Sequence, residues 1–225
     1  MESRKLYAVI TGDIVKSTRF APDQRDGVLS TLKAAFETVK DTLSGALCTP
    51  FSIYRGDSFQ GVLDRPELAL RAVLIIRASL GCGFLGAHRR LRLDARMAVG
   101  IGEVDFLPKG SSSEGDGEAF RLSGPALDNM DRMRGGQRLL IRTRWPEVNA
   151  EFDTECALLD ALISKWSVGQ AQVIMAQVRN LTQGATAREL GISQPAVQQR
   201  LKHAGGWAVA EFCRRYEEVI SRLKG

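Results

Sequence analysis

Over the first two thirds of the chain, short apolar runs alternate with longer stretches of helical spacing. After Trp145-Pro146 only helical spacing remains. Leu6 to Thr11 is an apolar run, which predicts a buried strand. Asp23 is positioned to cap a helix whose apolar residues Val28, Leu29, Leu32, Phe36, Val39 and Leu43 recur every three or four positions. Phe51 to Tyr54 and Phe59 to Leu63 flank Arg55-Gly56-Asp57-Ser58, a hairpin signal. Asp64 and Pro66 open a second helix that is apolar on most sides (Leu68, Leu70, Val73, Leu74, Ile75, Ile76, Leu80), so burial all round is expected. Ala95, Met97, Val99 and Ile101 alternate as a strand. Residues 107 to 118 form a Ser/Gly-rich segment, expected to be a mobile loop. A third helix is predicted from about Ala119 to Met133, stopping at Gly135-Gly136, and Arg138 to Ile141 is a last strand.

The resulting order, βαββαβ plus one more helix and strand, predicts an α+β, ferredoxin-like domain over residues 1–145. The stripe Phe152, Cys156, Leu159, Leu162, Ile163 and Trp166 predicts a helix over 146–166, acting as connector or dimer element. Ser167 to Gln170 has the form of a capping box and opens an all-α region, 167–225.

Composition narrows the classes. The 225 residues are 44% apolar and 25% charged, ordinary for a globular protein. No apolar run approaches the ~20 residues that span a bilayer. The start, MESRKLYAVI, lacks the apolar core and cleavage site of a signal peptide. Cys48, Cys82, Cys156 and Cys213 share no ligand spacing and read as free thiols of a cytoplasmic protein. From Ser164 onward nine Lys/Arg face four Glu, so the tail holds essentially all of the net +5 charge. That balance suits nucleic acid, and equally a solvated helical surface.

Two Gly-Asp steps, Gly12-Asp13 and Gly56-Asp57, each follow a strand-like run. A carboxylate beside glycine at a strand end sits where a ligand can approach the backbone. Two on neighbouring strands could share one hard cation and hold phosphates through it. An isolated Gly-Asp is otherwise an ordinary turn.

The segments TGDIVKST (11–18), RGDSFQGVL (55–63), ARMAVGIGEV (95–104) and GDGEAFRLSGPAL (115–127) resemble, in order, the conserved segments of class III nucleotidyl cyclases. The wording is closer still to the SatD-like proteins, their compact bacterial relatives. The resemblance covers about the first 140 residues. It implies Asp13 and Asp57 as carboxylate ligands of Mg²⁺ or Mn²⁺, with the Ile14 carbonyl as a further ligand. It also implies Lys16, Ser17, Thr18, Arg55 and Gly56 beside a nucleotide's phosphates. The chain departs from the cyclase pattern at Lys16, where glycine is favoured, and at Ile53, where the purine-selecting Lys would stand. Arg121 and Pro125 align with the Asn and Arg that stabilise the cyclase transition state. Proline has no side-chain donor, so cyclase activity is not expected.

Gln183 to Leu190, Gly191-Ile192-Ser193 and Gln194 to His203 read as helix, turn and helix. Ala187 is small where helices cross, Gly191 permits a positive φ, Ser193 is an N-cap, and Pro195 suits a first turn. Val197, Leu190, Ile192 and Leu201 supply a small core. The segment strongly resembles bacterial DNA-binding helix-turn-helix units. The resemblance assigns the major groove to the second helix, through Ser193, Gln194, Gln198, Gln199 and Lys202, with Arg200 and Arg188 on phosphates or Glu189. His203 could reach a phosphate, and His88 has only a loop role. The last helix, with Val209, Phe212, Tyr216, Val219, Ile220 and Leu223, is expected to cover this small core. A helical hairpin used only for packing is the plainer alternative.

The expected function is a DNA-binding transcriptional regulator, a homodimer on double-stranded DNA. Its degenerate cyclase-like domain would bind a nucleotide or divalent metal, or mediate dimerisation. The alternative is an active nucleotidyl cyclase, or another metal-dependent phosphoryl-transfer enzyme, with a regulatory tail. A purely structural dimerisation module is the third.

Overall fold

The structure is a computed structural model that describes residues 5–86, 90–108, 110, 112, 114–130 and 136–224. Strand β1 (Tyr7–Ile14) leads into α1 (Pro22–Thr42). The hairpin β2 (Leu47–Arg55) and β3 (Ser58–Leu63) follows, then α2 (Ala69–Cys82). Two two-residue strands, β4 (Phe84–Leu85) and β5 (Arg90–Leu91), pair with each other. They precede β6 (Ala95–Gly102), α3 (Glu118–Asn129) and β7 (Leu139–Arg142). The main sheet has the order β2-β3-β1-β6-β7. All neighbours are antiparallel except β6 and β7. Strands β1, β2, β3 and β6 reproduce the split βαβ order expected from the sequence.

Side-chain alternation gives the sheet two different faces. Ala8, Ile10 and Ile14 of β1, with Met97, Val99 and Ile101 of β6, enter the main core beside α1 and α2. Val9 and Thr11 point the other way, toward α3, where Val9 packs with Val62 and Ala119 and Thr11 meets Ser123. Gly100 makes that second layer possible: a Cβ there would sit 2.1 Å from the Ala119 carbonyl oxygen.

Helix α2 has no polar face, and the structure explains why. One side lies on the sheet; the other is covered by α5 (Val168–Val178). Leu70, Val73, Leu74, Ile75, Ile76 and Leu80 are all at most 1% exposed. The main core continues without a break into α4 (Pro146–Ile163), α5 and α8 (Gly206–Leu223). The stripe Phe152, Cys156, Leu159, Ile163 and Trp166 is used up in this intrachain packing. Each such side chain contributes roughly 1.5–3 kcal/mol.

Four expectations need correction or limits. Helix α1 is capped at Ala21, not Asp23, because Pro22 takes the first helical position and the Gln24 side chain accepts from Ala21 N at 3.3 Å. The last helix does not cover the small helix-turn-helix core. Its Tyr216 hydroxyl donates to Pro66 O at 2.8 Å and its ring lies 5.4 Å from Phe152, so α8 closes the main core instead. The loop after β6 is tied at its base, where Phe106 and Asp116 exchange backbone bonds of 3.0 and 2.9 Å. Ser112 within it is buried. His88, Gly135 and the end of the predicted third helix lie outside the described residues.

The sheet layer and the helical layer are also joined through charge. Arg77 of α2, 1% exposed, donates through Nε and Nη2 to both oxygens of Asp94 at 2.9 Å and through Nη1 to Asp160 of α4. Asp160 also accepts from the backbone N–H of Arg138 and Leu139, at 2.8 and 3.1 Å. Burial alone would lower the Arg77 pKa, but the two carboxylates outweigh it and hold it above its ordinary value. Arg77→Ala should therefore destabilise the fold by about 3–5 kcal/mol, because Asp160 loses its counter-ion and Asp94 keeps only Arg138. Urea unfolding monitored by circular dichroism checks this.

Glu155 of α4 is the opposite case. One of its carboxyl oxygens is buried without a partner among the described residues. Burial and then the neighbouring Glu151 carboxylate raise its pKa from 4.5 to about 7. The fold favours the protonated form, so its contribution is full below about 4.5 and is lost as pH rises through about 7. Glu155→Gln should flatten the fall in stability between these values. At pH 8 it should raise stability by no more than about 1 kcal/mol, given solvent screening at a half-buried site. Thermal melts across the pH range read both effects.

Candidate functional site

The two Gly-Asp steps do converge at one sheet edge. Gly56, at φ +59°, turns the β2–β3 hairpin, and Asp57 Oδ2 then accepts from Ile14 N at 3.1 Å. That bond pins the hairpin tip to the end of β1. Ser17, Thr18, Gly56 and Asp57 line one cleft of about 330 Å³ together with Phe20, Arg25 and Leu29. The exposed Arg55 side chain does not line it.

Asp13 is drawn elsewhere. It lies opposite Arg96 in the β1–β6 register. Arg96 grips both carboxylate oxygens, Nε to Oδ1 at 2.9 Å and Nη2 to Oδ2 at 2.6 Å. A forked, charge-assisted pair of this kind is the strong form of the interaction. Beside it runs a polar row on the α3 face: Gln60 Nε2 donates to Thr11 Oγ1 at 3.0 Å, and Thr11 and Ser123 share a 3.1 Å bond. Sequence reading missed Arg96, Gln60 and Thr11. The available signal was alternation, which puts Thr11 and Asp13 on one face of β1. The Ile14 side chain turns into the core.

This donor set does not fit a resident divalent cation as it stands. The Asp13 charge is already matched by Arg96, and one Asp57 oxygen is committed to the backbone. Among the described residues no three His, Cys, Asp or Glu side chains group in a metal-binding arrangement. Nor is any described helix long and apolar enough to cross a membrane. The four cysteines are unpaired.

Lys16 adopts a left-handed backbone, φ 58° and ψ 35°. Its position is the one where the cyclase pattern favours glycine, which takes this conformation freely. In Lys it costs on the order of 1 kcal/mol. The conformation starts the single turn Ser17–Arg19. Lys16 lines a different cleft from Ser17 and Thr18. Of the other departures, Ile53 packs against the main core. Pro125 is exposed within α3. Arg121 is bound to Asp116 and Asp105 at 2.7 and 3.1 Å, away from the Asp57 edge.

In the tail, α6 (Gln183–Leu190) and α7 (Gln194–Ala204) are joined by Gly191-Ile192-Ser193. Gly191 has φ +63°, and Ser193 Oγ accepts from Ala196 N at 3.3 Å as N-cap. Val173, Ala187 and Val197 form a small core with Leu190, Ile192 and Leu201. Ser193, Gln194, Gln198, Gln199 and Lys202 are all exposed. Arg200 is not among them: its guanidinium lies about 3.0 Å from where a Gly169 side chain would begin, against α5. Glu189 pairs with Arg179 at 2.8 Å, leaving Arg188 exposed. Trp207, 77% exposed, shares a cleft of about 520 Å³ with Gln198 and Lys202 and was not anticipated.

A model of the SatD family matches residues 7–210. The chain belongs to the SatD family. The match runs from β1 into α8, so the helical tail lies mostly within it. No curated protein matches this SatD-family chain. Among solved structures it is similar to the active GGEEF domain of a diguanylate cyclase from Vibrio cholerae (19% identity, 61% of this chain and 83% of that one, TM-score 0.42). It is also similar to a monomeric guanylyl cyclase domain of the RhoGC fusion protein from the aquatic fungus Blastocladiella emersonii (17% identity, 67% and 86%, TM-score 0.43). A third likeness is to a bacterial light-regulated adenylyl cyclase (16% identity, 60% and 74%, TM-score 0.39). These are distant likenesses of part of the chain.

Arg96 competes with any cation for Asp13. Arg96→Gln should therefore strengthen Mn²⁺ binding at least about tenfold, the scale of one charge-assisted bond removed. Titration calorimetry of both proteins measures it. Equal affinities would remove Asp13 from any ligand set.

Proposed function

We propose that this SatD-family protein is a DNA-binding transcriptional regulator. Its α+β domain binds a nucleotide at the Asp57 edge instead of cyclising one. The observation that carries the reading is the α7 face. Ser193, Gln194, Gln198, Gln199 and Lys202 are exposed together on a helix capped at Ser193 and braced by a compact apolar core. Glutamine amides facing outward, without the acidic partners of a solvated ion-pair surface, suit hydrogen bonding to adenine edges. Lys202 and the excess positive charge of the tail suit phosphates. Arg188 is proposed on the phosphate backbone as well, whereas Arg200 is assigned to packing. A second copy of the chain would supply the paired half-site.

In the α+β domain, Ser17, Thr18 and Gly56 would receive the phosphates of the nucleotide. Mg²⁺ or Mn²⁺ would enter only by displacing Arg96 from Asp13. The second reading is a metal-dependent phosphoryl-transfer enzyme. Its support is the Asp57–Ile14 bond, which gathers both Gly-Asp segments at one edge. The Arg96 pairing and the donorless Pro125 weigh against it.

The decisive experiment selects a binding site from random DNA and compares the wild type with the Gln198→Ala, Gln199→Ala double variant by mobility shift. A loss of about tenfold or more is expected, since each base-edge pair is worth roughly 1–3 kcal/mol. Affinity should also fall steeply with salt. Failure to select any site, or equal binding by both proteins, would sink the reading. Manganese-dependent turnover of ATP or GTP that is abolished by Asp57→Asn would establish the second reading.

A further inference from the structure

The Val15–Phe20 segment borders another cleft, about 550 Å³, whose lining includes neither Asp13, Asp57 nor the β2–β3 hairpin. It opens where the sheet layer meets the helical tail, with Ile163, Ser164, Trp166 and Ala171 on one wall. Lys16, Arg19, Arg77, Arg92 and Arg138 line it against a single carboxylate, Asp94. Arg77 and Arg138 are neutralised by Asp94 and Asp160. Lys16, Arg19 and Arg92 remain without an ion-pair partner among the described residues. Arg92 is anchored by Nε to Gly81 O at 3.1 Å, which steadies its guanidinium at the rim.

Three uncompensated cations converging on one concave surface repel one another unless an anion joins them. Two are guanidiniums, whose forked donors match phosphate oxygens. Lys16 reaches this cleft through a left-handed backbone that a lysine adopts only at a cost. Phe20 and Leu91, both half-buried, add apolar surface beside the charges, backed by the buried Leu93 and Trp166, and the volume falls in the range of small-molecule sites.

We propose that this junction cleft binds a small organic phosphate, its anionic group held by Lys16, Arg19 and Arg92 and its apolar body against Phe20 and Leu91. The site shares only Phe20 with the Asp57 cleft, and it depends neither on DNA binding nor on a nucleotide there. Because its walls come from both layers, the ligand would bridge the β1–α1 segment and the start of α5.

Titration calorimetry with the full chain in EDTA tests it, using phenyl phosphate and inorganic phosphate as probes. Phenyl phosphate should bind saturably and about tenfold or more tighter than inorganic phosphate, the scale of burying a phenyl ring. Arg19→Ala and Arg92→Ala, both at exposed positions, should each weaken it about tenfold. Asp57→Asn should leave it unchanged. The proposal is overturned by no saturable binding, by equal affinity for the two probes, by indifference to both arginine changes, or by loss in Asp57→Asn.

Discussion

Arg77 is the residue around which the two layers are organised. A guanidinium with no exposed side-chain surface is tolerable only where carboxylates and hydrogen bonds replace water. Asp94 supplies two of those bonds from the start of β6, and Asp160 supplies another from α4. Asp160 in turn receives the backbone N–H groups that lead into β7. The last strand, the connecting helix and the second crossover helix are thereby held in one arrangement. Displacing any of them would strand a charge in a low-dielectric interior.

The same constraint explains the shape of α2. A helix with apolar residues on every side cannot be a surface helix of an α+β sandwich. It needs a second apolar layer, and α5 and α8 provide it. The tail therefore does not hang from the sheet domain by a flexible linker. It completes that domain's core, while its own small cluster around Val173, Ala187 and Val197 steadies the α6–α7 turn. The α7 face and the junction cleft are thereby carried on one continuously packed body.

At the sheet edge, one pairing redirects the chemistry. Asp13 and Asp57 stand on neighbouring segments, as a cation site would require, yet Arg96 occupies Asp13 from the adjacent strand. A fixed internal cation gives the carboxylate what a metal would, at no cost in ligand entropy. Ser17, Thr18, Gly56 and Asp57 still line one cleft at that edge.

Much of this was legible in local pattern. Alternation along 95–101 marked β6, Arg55-Gly56-Asp57-Ser58 marked the hairpin, and Ser167, Gly191 and Ser193 marked the helix ends. These signals are local because caps, turns and strand faces depend on residues a few positions apart. The all-apolar α2 even announced that something must cover it. What covered it was decided only in three dimensions. Arg77 meets Asp160 from 83 positions away and Arg96 meets Asp13 across the same separation, through strand register and helix packing. The same holds for Lys16, which lines the junction cleft and not the cleft of Ser17, Thr18 and Asp57. Local sequence determined the elements and their polar candidates; tertiary approach decided which charges are spent on one another and which remain for a ligand.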